Sequence, residues 1–220
     1  MVKRKISVKV LLCYVVIAAF IGYILMSYVL QNPKNTAIIA GKLENSPNFP
    51  YDLWIMILFF HIATGAIALV LGPFQFLKFS RKNKKVHRTI GKLYMSAIFL
   101  SVPAGIYLAY YATGGAGSGI GFLVLDIFWF AATFTGLRKI LKRDIKRHRE
   151  WMLRSYAITL VFVTFRIFMP IFVFVMKLGF SIGFPAAVFC SIALNLSLAE
   201  WHLRRKNISS KNSIAKTTPV

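Results

Sequence analysis

Long apolar segments separated by short polar connections form the main pattern of this chain. Six segments each run for about 20 residues with few charges, the length that a helix needs to cross ~30 Å of hydrocarbon. They cover residues 8–30, 53–76, 90–111, 120–137, 151–176 and 181–203. The pattern predicts an all-α membrane bundle with six transmembrane helices, forming a single domain over residues 1–206.

Positive charge in the connections predicts the topology. Lys and Arg concentrate before the first segment, between the second and third, between the fourth and fifth, and after the sixth. Cytoplasmic loops carry such an excess, so we expect these connections and both termini in the cytoplasm. The connections on the opposite side contain only three basic residues, Lys34, Lys42 and Lys177. The expected location is the inner membrane of a cell, with a multi-pass arrangement.

Composition agrees with a membrane protein. Hydrophobic residues make up 57% of the chain, mean hydropathy is +0.64, and the formal net charge is +22. Such a charge also occurs in nucleic-acid-binding proteins, but here the basic residues lie in blocks between apolar segments. Basic residues next to a membrane are attracted to anionic headgroups by about 1 kcal/mol each. We therefore expect the lipid bilayer and its anionic headgroups as partners, and no nucleic acid.

Two polar segments lack the apolar pattern. Residues 31–52 contain Asn, Pro and Ser without strong periodicity and are predicted to form an exposed loop on the outer side. Residues 207–220 are rich in Ser, Lys and Thr. Because a segment of this composition buries little apolar surface, we expect a disordered cytoplasmic tail.

Three ionisable residues lie well inside apolar segments. At about 1.5 Å per residue, His61, Asp126 and Arg166 fall roughly 9–15 Å below the outer boundary. A charge in hydrocarbon is costly and usually faces the protein interior, so the three are predicted to form a buried polar cluster. The cluster is either a structural ion pair or a functional site. Histidine titrates near neutrality, and a functional site would therefore relay or transport a proton, an ion or a small solute.

A second polar group is predicted near the cytoplasmic boundary. Arg154 enters the fifth apolar segment, and Glu200 and Asn195 lie near the end of the sixth. Antiparallel helices joined by a short outer turn bring Arg154 and Glu200 to one level. We expect a salt bridge between them that is structural and not catalytic.

His87 and His148 begin two parallel segments at the same level, followed by Arg88 and Arg149. Paired imidazoles are axial haem ligands in membrane cytochromes, so an alternative function is a redox protein that binds a b-type haem or a quinone there. The competing interpretation is that these side chains contact lipid headgroups. We expect no metal and no cofactor, with haem b as the alternative.

Motifs of soluble enzymes are missing from the sequence. It contains no G-x-S-x-G, no H-E-x-x-H and no phosphate-binding Walker loop. The six acidic residues leave few carboxylate pairs for hydrolysis. An enzymatic activity is therefore not assigned, and a non-catalytic scaffold or assembly factor is a third interpretation.

Four motifs carry a family resemblance: HIATGAIALVLGPFQF, HRTIGKLY, HREWMLRSYAITL and NLSLAEW. Together they resemble the bacterial predicted membrane proteins catalogued as domain of unknown function 2306, over residues 53–201. The resemblance implies no biochemical activity. The positions that it singles out are His61, His87, Arg88, Gly91, Tyr94, His148, Arg149, Trp151, Met152, Arg154, Ser155, Arg166, Asn195 and Glu200.

A weaker similarity is to transmembrane b-type cytochromes, whose histidines hold haem within a helical core. It implies His87 and His148 as one ligand pair. The fourth apolar segment has Asp126 and no histidine with which to form a second pair.

Overall fold

The described part of the chain is helical. The computed structural model describes residues 8–30, 32–45 and 49–217, and no β-strand occurs in these ranges. The all-α prediction is confirmed. The helices are α1 Val8–Ile24, α2 Ala37–Asn45, α3 Tyr51–Phe76, α4 Lys78–Lys82, α5 Lys84–Tyr110, α6 Ala116–Leu141, α7 Ile145–Thr159, α8 Val161–Pro170 and α9 Gly179–Thr217.

Five helical segments of the described ranges are long and apolar enough to cross a membrane. They match the second to sixth predicted segments: Tyr51–Phe76, Lys84–Tyr110, Ala116–Leu141, Ile145–Val175 and Gly179–Ile208. The first predicted segment consists of α1 and a π-helical turn at Leu25–Leu30. Its apolar helix, Tyr14–Tyr28, is shorter than the other five. The count of six and the sides on which the termini lie stay predictions.

Polar residues define where the chain turns between helices. The Asn83 side chain accepts a hydrogen bond from the backbone N–H of Val86 at the start of α5. The Asp144 side chain does the same for Arg147 at the start of α7. Each satisfies a donor that the first helical turn leaves without a partner. Arg143 precedes Asp144 in a left-handed conformation, with φ of 59°, and completes the tight turn after α6.

The chain divides into two compact units, Met1–Gly119 and Ile120–Val220. In the first unit, α3 and α5 pack together and α1 packs on α3. In the second, α9 packs along α7, α8 and the π-helical turn that follows them. The single domain over residues 1–206 stays a prediction.

The prediction of an exposed loop over residues 31–52 is wrong for its central part. Ala37–Asn45 forms α2, and Ile39 is 1% exposed in a core with Ile24, Tyr28 and Trp54. Leu43 packs against the same core. Because Ile39 and Leu43 are four residues apart, one helical face carries both, and the polar residues around them conceal this short pattern.

The C-terminal segment also differs from expectation. α9 continues to Thr217, so residues 207–217 of the predicted disordered tail are helical. Extending an existing helix needs no new nucleus, which explains how a polar segment continues the apolar helix before it. The last three residues of the predicted tail lie outside the described ranges.

The segment Ile145–Val175 is interrupted twice. α7 ends at Thr159 and α8 begins at Val161, with Leu160 between them. α8 ends at Pro170, and a π-helical turn covers Ile171–Val175. Proline lacks a backbone N–H and disrupts the regular hydrogen-bond pattern. Gly183 of α9 lies close to this turn, since a methyl group there would be 3.0 Å from the Val173 nitrogen.

We expect alanine at Gly119 to destabilise the first unit. A methyl group there would lie 2.7 Å from the backbone carbonyl oxygen of Ala109. Because backbone must move to relieve this overlap, Gly119→Ala is expected to lower the free energy of unfolding by about 1–3 kcal/mol. The Tm of the detergent-solubilised protein measures the effect.

Gly22→Ala is the matched control for that substitution. No described heavy atom outside its own helical turn lies within 4 Å of a methyl group at Gly22. Alanine is the better helix former by about 1 kcal/mol, so the Tm should stay constant or rise. Equal losses of Tm in the two variants would contradict the close approach at Gly119.

Candidate functional site

His61 of α3 contacts Ser101 of α5 inside the first unit. The His61 Nδ1 atom is 3.1 Å from the Ser101 carbonyl oxygen and 3.0 Å from the Ser101 hydroxyl oxygen. A protonated Nδ1 can donate to the carbonyl, and an unprotonated Nδ1 can accept from the hydroxyl. Both neutral tautomers of His61 therefore have a partner at this nitrogen.

The Ser101 hydroxyl has a second acceptor in reach. Its oxygen is 3.5 Å from the carbonyl oxygen of His61, and the serine is fully buried. The hydroxyl can therefore turn from the imidazole to the backbone when Nδ1 carries a proton. Sequence reasoning missed Ser101. The available signal was a serine within an apolar segment, where a hydroxyl needs a partner.

Asp126 and Arg166 lie in the second unit. Asp126 of α6 is 4% exposed and takes part in neither ion pair found among the described residues. Arg166 of α8 is half-buried and lies between Leu160 and the π-helical turn. Both are thus inside membrane-length segments, as predicted. The cluster that joins them with His61 stays a prediction.

A buried set of polar side chains connects α6 with α7. The Trp129 indole N–H donates to the Thr159 hydroxyl over 2.9 Å, and that hydroxyl donates to the Ser155 carbonyl over 3.0 Å. The hydroxyls of Thr133 and Ser155 are 2.7 Å apart. All four side chains are at most 1% exposed. We call these residues the hydroxyl ladder; it satisfies polar groups that would be costly if buried alone.

The family resemblance singled out Ser155, but the other three ladder residues were missed. Their signal is spacing: Trp129 and Thr133 are four residues apart, as are Ser155 and Thr159. On a helix such pairs share one face. Two four-residue pairs in successive apolar segments therefore mark a polar contact between helices.

Asn195 of α9 joins α8 near the first interruption. Its amide donates to the Thr164 hydroxyl over 3.0 Å, and Thr164 donates to the Leu160 carbonyl over 3.3 Å. Asn195 is 6% exposed. The helix interruption at Leu160 is therefore held by a side chain of the neighbouring helix.

The salt bridge predicted between Arg154 and Glu200 is confirmed. Arg154 Nε is 2.5 Å from Glu200 Oε1, and Arg154 Nη2 is 3.2 Å from Oε2. The guanidinium also lies 4.8 Å from the centre of the Trp151 ring. Side-chain exposure is 22% for Arg154 and 41% for Glu200. This two-point contact fixes α7 against α9 at the surface of the unit.

His87 and His148 each use Nδ1 in a hydrogen-bond contact. In the first unit, His87 Nδ1 is 3.3 Å from the Ser80 hydroxyl. In the second, His148 Nδ1 is 2.8 Å from the carbonyl oxygen of Gly136. Since a carbonyl only accepts, the proton of neutral His148 lies on Nδ1, and Nε2 is the atom able to bind a metal.

The remaining predicted residues near these histidines differ in exposure. Tyr94 of α5 is 1% exposed, whereas Arg88 and Arg149 are exposed. Among the described residues, no three side chains of His, Cys, Asp or Glu converge as ligands of one metal ion. A haem iron needs only one or two imidazoles.

Comparisons with known proteins give one match. A family model described as "Predicted membrane protein (DUF2306)" matches residues 58–203. No curated protein and no solved structure matches the chain. The similarity to b-type cytochromes stays a hypothesis.

The contact of Arg154 with Glu200 should show measurable coupling. We expect a double-mutant cycle with Arg154→Met and Glu200→Gln to give about 1 kcal/mol, because two charge-assisted hydrogen bonds join partly buried side chains. Chemical unfolding in mixed micelles measures each free energy.

The control is the pair Arg147 and Asp144, whose charged atoms are 3.7 Å apart and whose arginine side chain is 64% exposed, against 22% for Arg154. A cycle with Arg147→Ala and Asp144→Ala should give about 0–0.5 kcal/mol. A coupling energy between Arg154 and Glu200 that is no larger than the coupling energy of the control pair would contradict the structural role of Arg154.

Proposed function

Because the chain belongs to the DUF2306 family of predicted membrane proteins, whose description names no activity, we propose a function from its own side chains. We propose that this integral membrane protein relays protons through His61, so that a proton, or an ion or small solute coupled to it, crosses the membrane. The observation that supports the proposal is that His61 Nδ1 contacts both a carbonyl and a hydroxyl of Ser101. An imidazole with both partners can change tautomer without leaving its position.

The relay has three steps. In the resting state, His61 Nδ1–H donates to the Ser101 carbonyl, and the Ser101 hydroxyl donates to the His61 carbonyl. A proton then binds Nε2 and gives an imidazolium. Nδ1 passes its proton to the Ser101 oxygen as the hydroxyl proton leaves for the next acceptor, and the new hydroxyl donates to neutral Nδ1. Proton number is conserved in each step.

Asp126 and Arg166 are the proposed ionisable groups of the second unit. Each lies inside a membrane-length segment. An ionisable residue inside a membrane segment is by default a candidate for function. In addition, Arg166 lies between two helix interruptions, and interrupted helices line the binding sites of many transporters.

We expect His61→Gln to reduce proton flux by about 10-fold or more, since an amide can hydrogen-bond Ser101 but does not titrate. Flux is measured in proteoliposomes with an internal pH-sensitive dye and an imposed proton gradient. Ser101→Ala should cause a smaller loss, because water can replace a hydroxyl. His202→Gln is the control, as His202 is exposed and should keep the wild-type rate. A wild-type rate in His61→Gln would refute the relay.

The second candidate is a redox protein with a b-type haem or a quinone near the cytoplasmic face. The hydrogen bond from His148 Nδ1 to the Gly136 carbonyl favours it. Such a bond orients an imidazole whose Nε2 binds a metal. In that case His148 Nε2 would bind the haem iron.

An absorption spectrum distinguishes the two functions. After expression with added haem, the relay predicts a purified protein without a Soret band. A Soret band that His148→Gln removes and His202→Gln retains would instead support the redox protein. A protein with neither flux nor haem would favour the scaffold interpretation.

A further inference from the structure

Three aromatic rings meet beneath α2 in the first unit. The ring centres of Phe49 and Trp54 are 5.2 Å apart, and those of Phe49 and Tyr111 are 5.4 Å apart. Both pairs meet edge to face, with interplanar angles of 64° and 70°. Such pairs are favourable and directional. We call Phe49, Trp54 and Tyr111 the aromatic cage.

The side chain of Lys42 occupies the aromatic cage. Its Nζ atom lies 5.2 Å from the centre of the Phe49 ring and 5.5 Å from the centre of the Trp54 ring. The same ammonium donates a hydrogen bond to the backbone carbonyl oxygen of Tyr111. Two aromatic rings and a carbonyl surround one positive charge, as in sites that recognise organic ammonium groups.

Lys34 shows that this arrangement is specific to Lys42. Its Nζ atom lies 4.7 Å from the Tyr51 ring centre. The side chain is exposed, in contrast to the partly buried Lys42. Lys34 is thus a single-ring contact in the same outer segment.

Holding the lysine in the cage has a cost. Burial lowers the pKa of Lys42 from its ordinary value, because the buried ammonium loses hydration. Nearby, the Trp54 indole N–H is buried without a hydrogen-bond partner among the described residues. A primary ammonium is strongly hydrated. A quaternary ammonium has no N–H groups to desolvate and fits aromatic cages better.

We propose that the aromatic cage is a binding site for a quaternary alkylammonium group, and that Lys42 occupies it as an internal competitor when no ligand is bound. The ligand enters when α2 withdraws the Lys42 side chain. The site is separate from His61 and does not depend on the proton relay. Its ligand is either a free alkylammonium compound or the choline headgroup of a lipid.

Weakening the hold of the Lys42 side chain on the aromatic cage should increase the affinity of the cage for a quaternary ammonium. A site that is mostly occupied by its own side chain binds ligand more weakly, in proportion to the fraction of molecules in which it is open. Lys42→Met keeps the length of the side chain but removes the ammonium, and with it the hydrogen bond to the Tyr111 carbonyl and the cation–π contacts that hold the side chain against a ligand. We therefore expect Lys42→Met to bind choline at least about 10-fold more tightly than wild type.

The experiment is calorimetric titration of the full chain in a neutral maltoside detergent with choline. Lys42→Gln is a second variant that tests the same result if Lys42→Met folds poorly. Lys34→Met is the matched control and should bind as wild type does. Adding Phe49→Leu to Lys42→Met should return the affinity to the wild-type level or below, since one ring face is lost.

The neutral isostere 3,3-dimethylbutanol tests the role of charge. It should bind Lys42→Met at least about 10-fold more weakly than choline does. Equal affinities for the two compounds would overturn the proposal. Unchanged choline affinity in both Lys42→Met and Lys42→Gln would also overturn the proposal if neither variant retains more phosphatidylcholine in nanodiscs than wild type.

Nanodiscs distinguish the two sources of the ligand. Native mass spectrometry would compare lipid retention in discs of phosphatidylcholine and phosphatidylglycerol. Greater retention of phosphatidylcholine by Lys42→Met than by wild type, without a gain for free choline, would assign the aromatic cage to a lipid headgroup. A gain for free choline alone would assign it to a soluble ligand.

Discussion

Burying a polar group in an apolar medium costs several kcal/mol unless a hydrogen bond replaces its contact with water. This cost explains how the helices of each unit are arranged. Ser101 lies against His61, Trp129 against Thr159, and Asn195 against Thr164. Each pair joins two membrane-length segments that follow one another in the chain. The apolar surface drives the segments into a membrane, but these few polar pairs select which helical faces meet.

The two units provide hydrogen-bond partners for their buried polar groups in different ways. In the first, His61 and Ser101 form a pair in which each group can donate or accept. In the second, the hydroxyl ladder engages the indole of Trp129 and the backbone carbonyl of Ser155. The His61 Nδ1 atom and the Ser101 hydroxyl can exchange roles, which suits proton transfer. In the ladder, the Thr159 hydroxyl accepts from Trp129 and donates to Ser155, which suits rigid packing.

Much of the fold could be predicted from the sequence because its strongest signals are long. Five apolar segments extend over 26 residues or more in the structure, so a few polar positions do not hide them. The salt bridge of Arg154 and Glu200 followed from the lengths of two segments and the direction of their helices. The α2 helix was missed because its pattern depends on Ile39 and Leu43 alone. Ser101 and Thr159 were missed since a small hydroxyl barely changes hydropathy, and only packing shows which carbonyl or ring nitrogen it meets.

The hydroxyl ladder has a consequence for charge movement. An indole N–H can only donate, and a backbone carbonyl can only accept. Thr159 stands between one of each, so in these two bonds its hydroxyl accepts from Trp129 and donates to Ser155. A hopping proton needs a hydroxyl that can reverse, and Thr159 would have to break both bonds to do so. Proton hopping through Thr159 would therefore break the contact that joins α6 to α7.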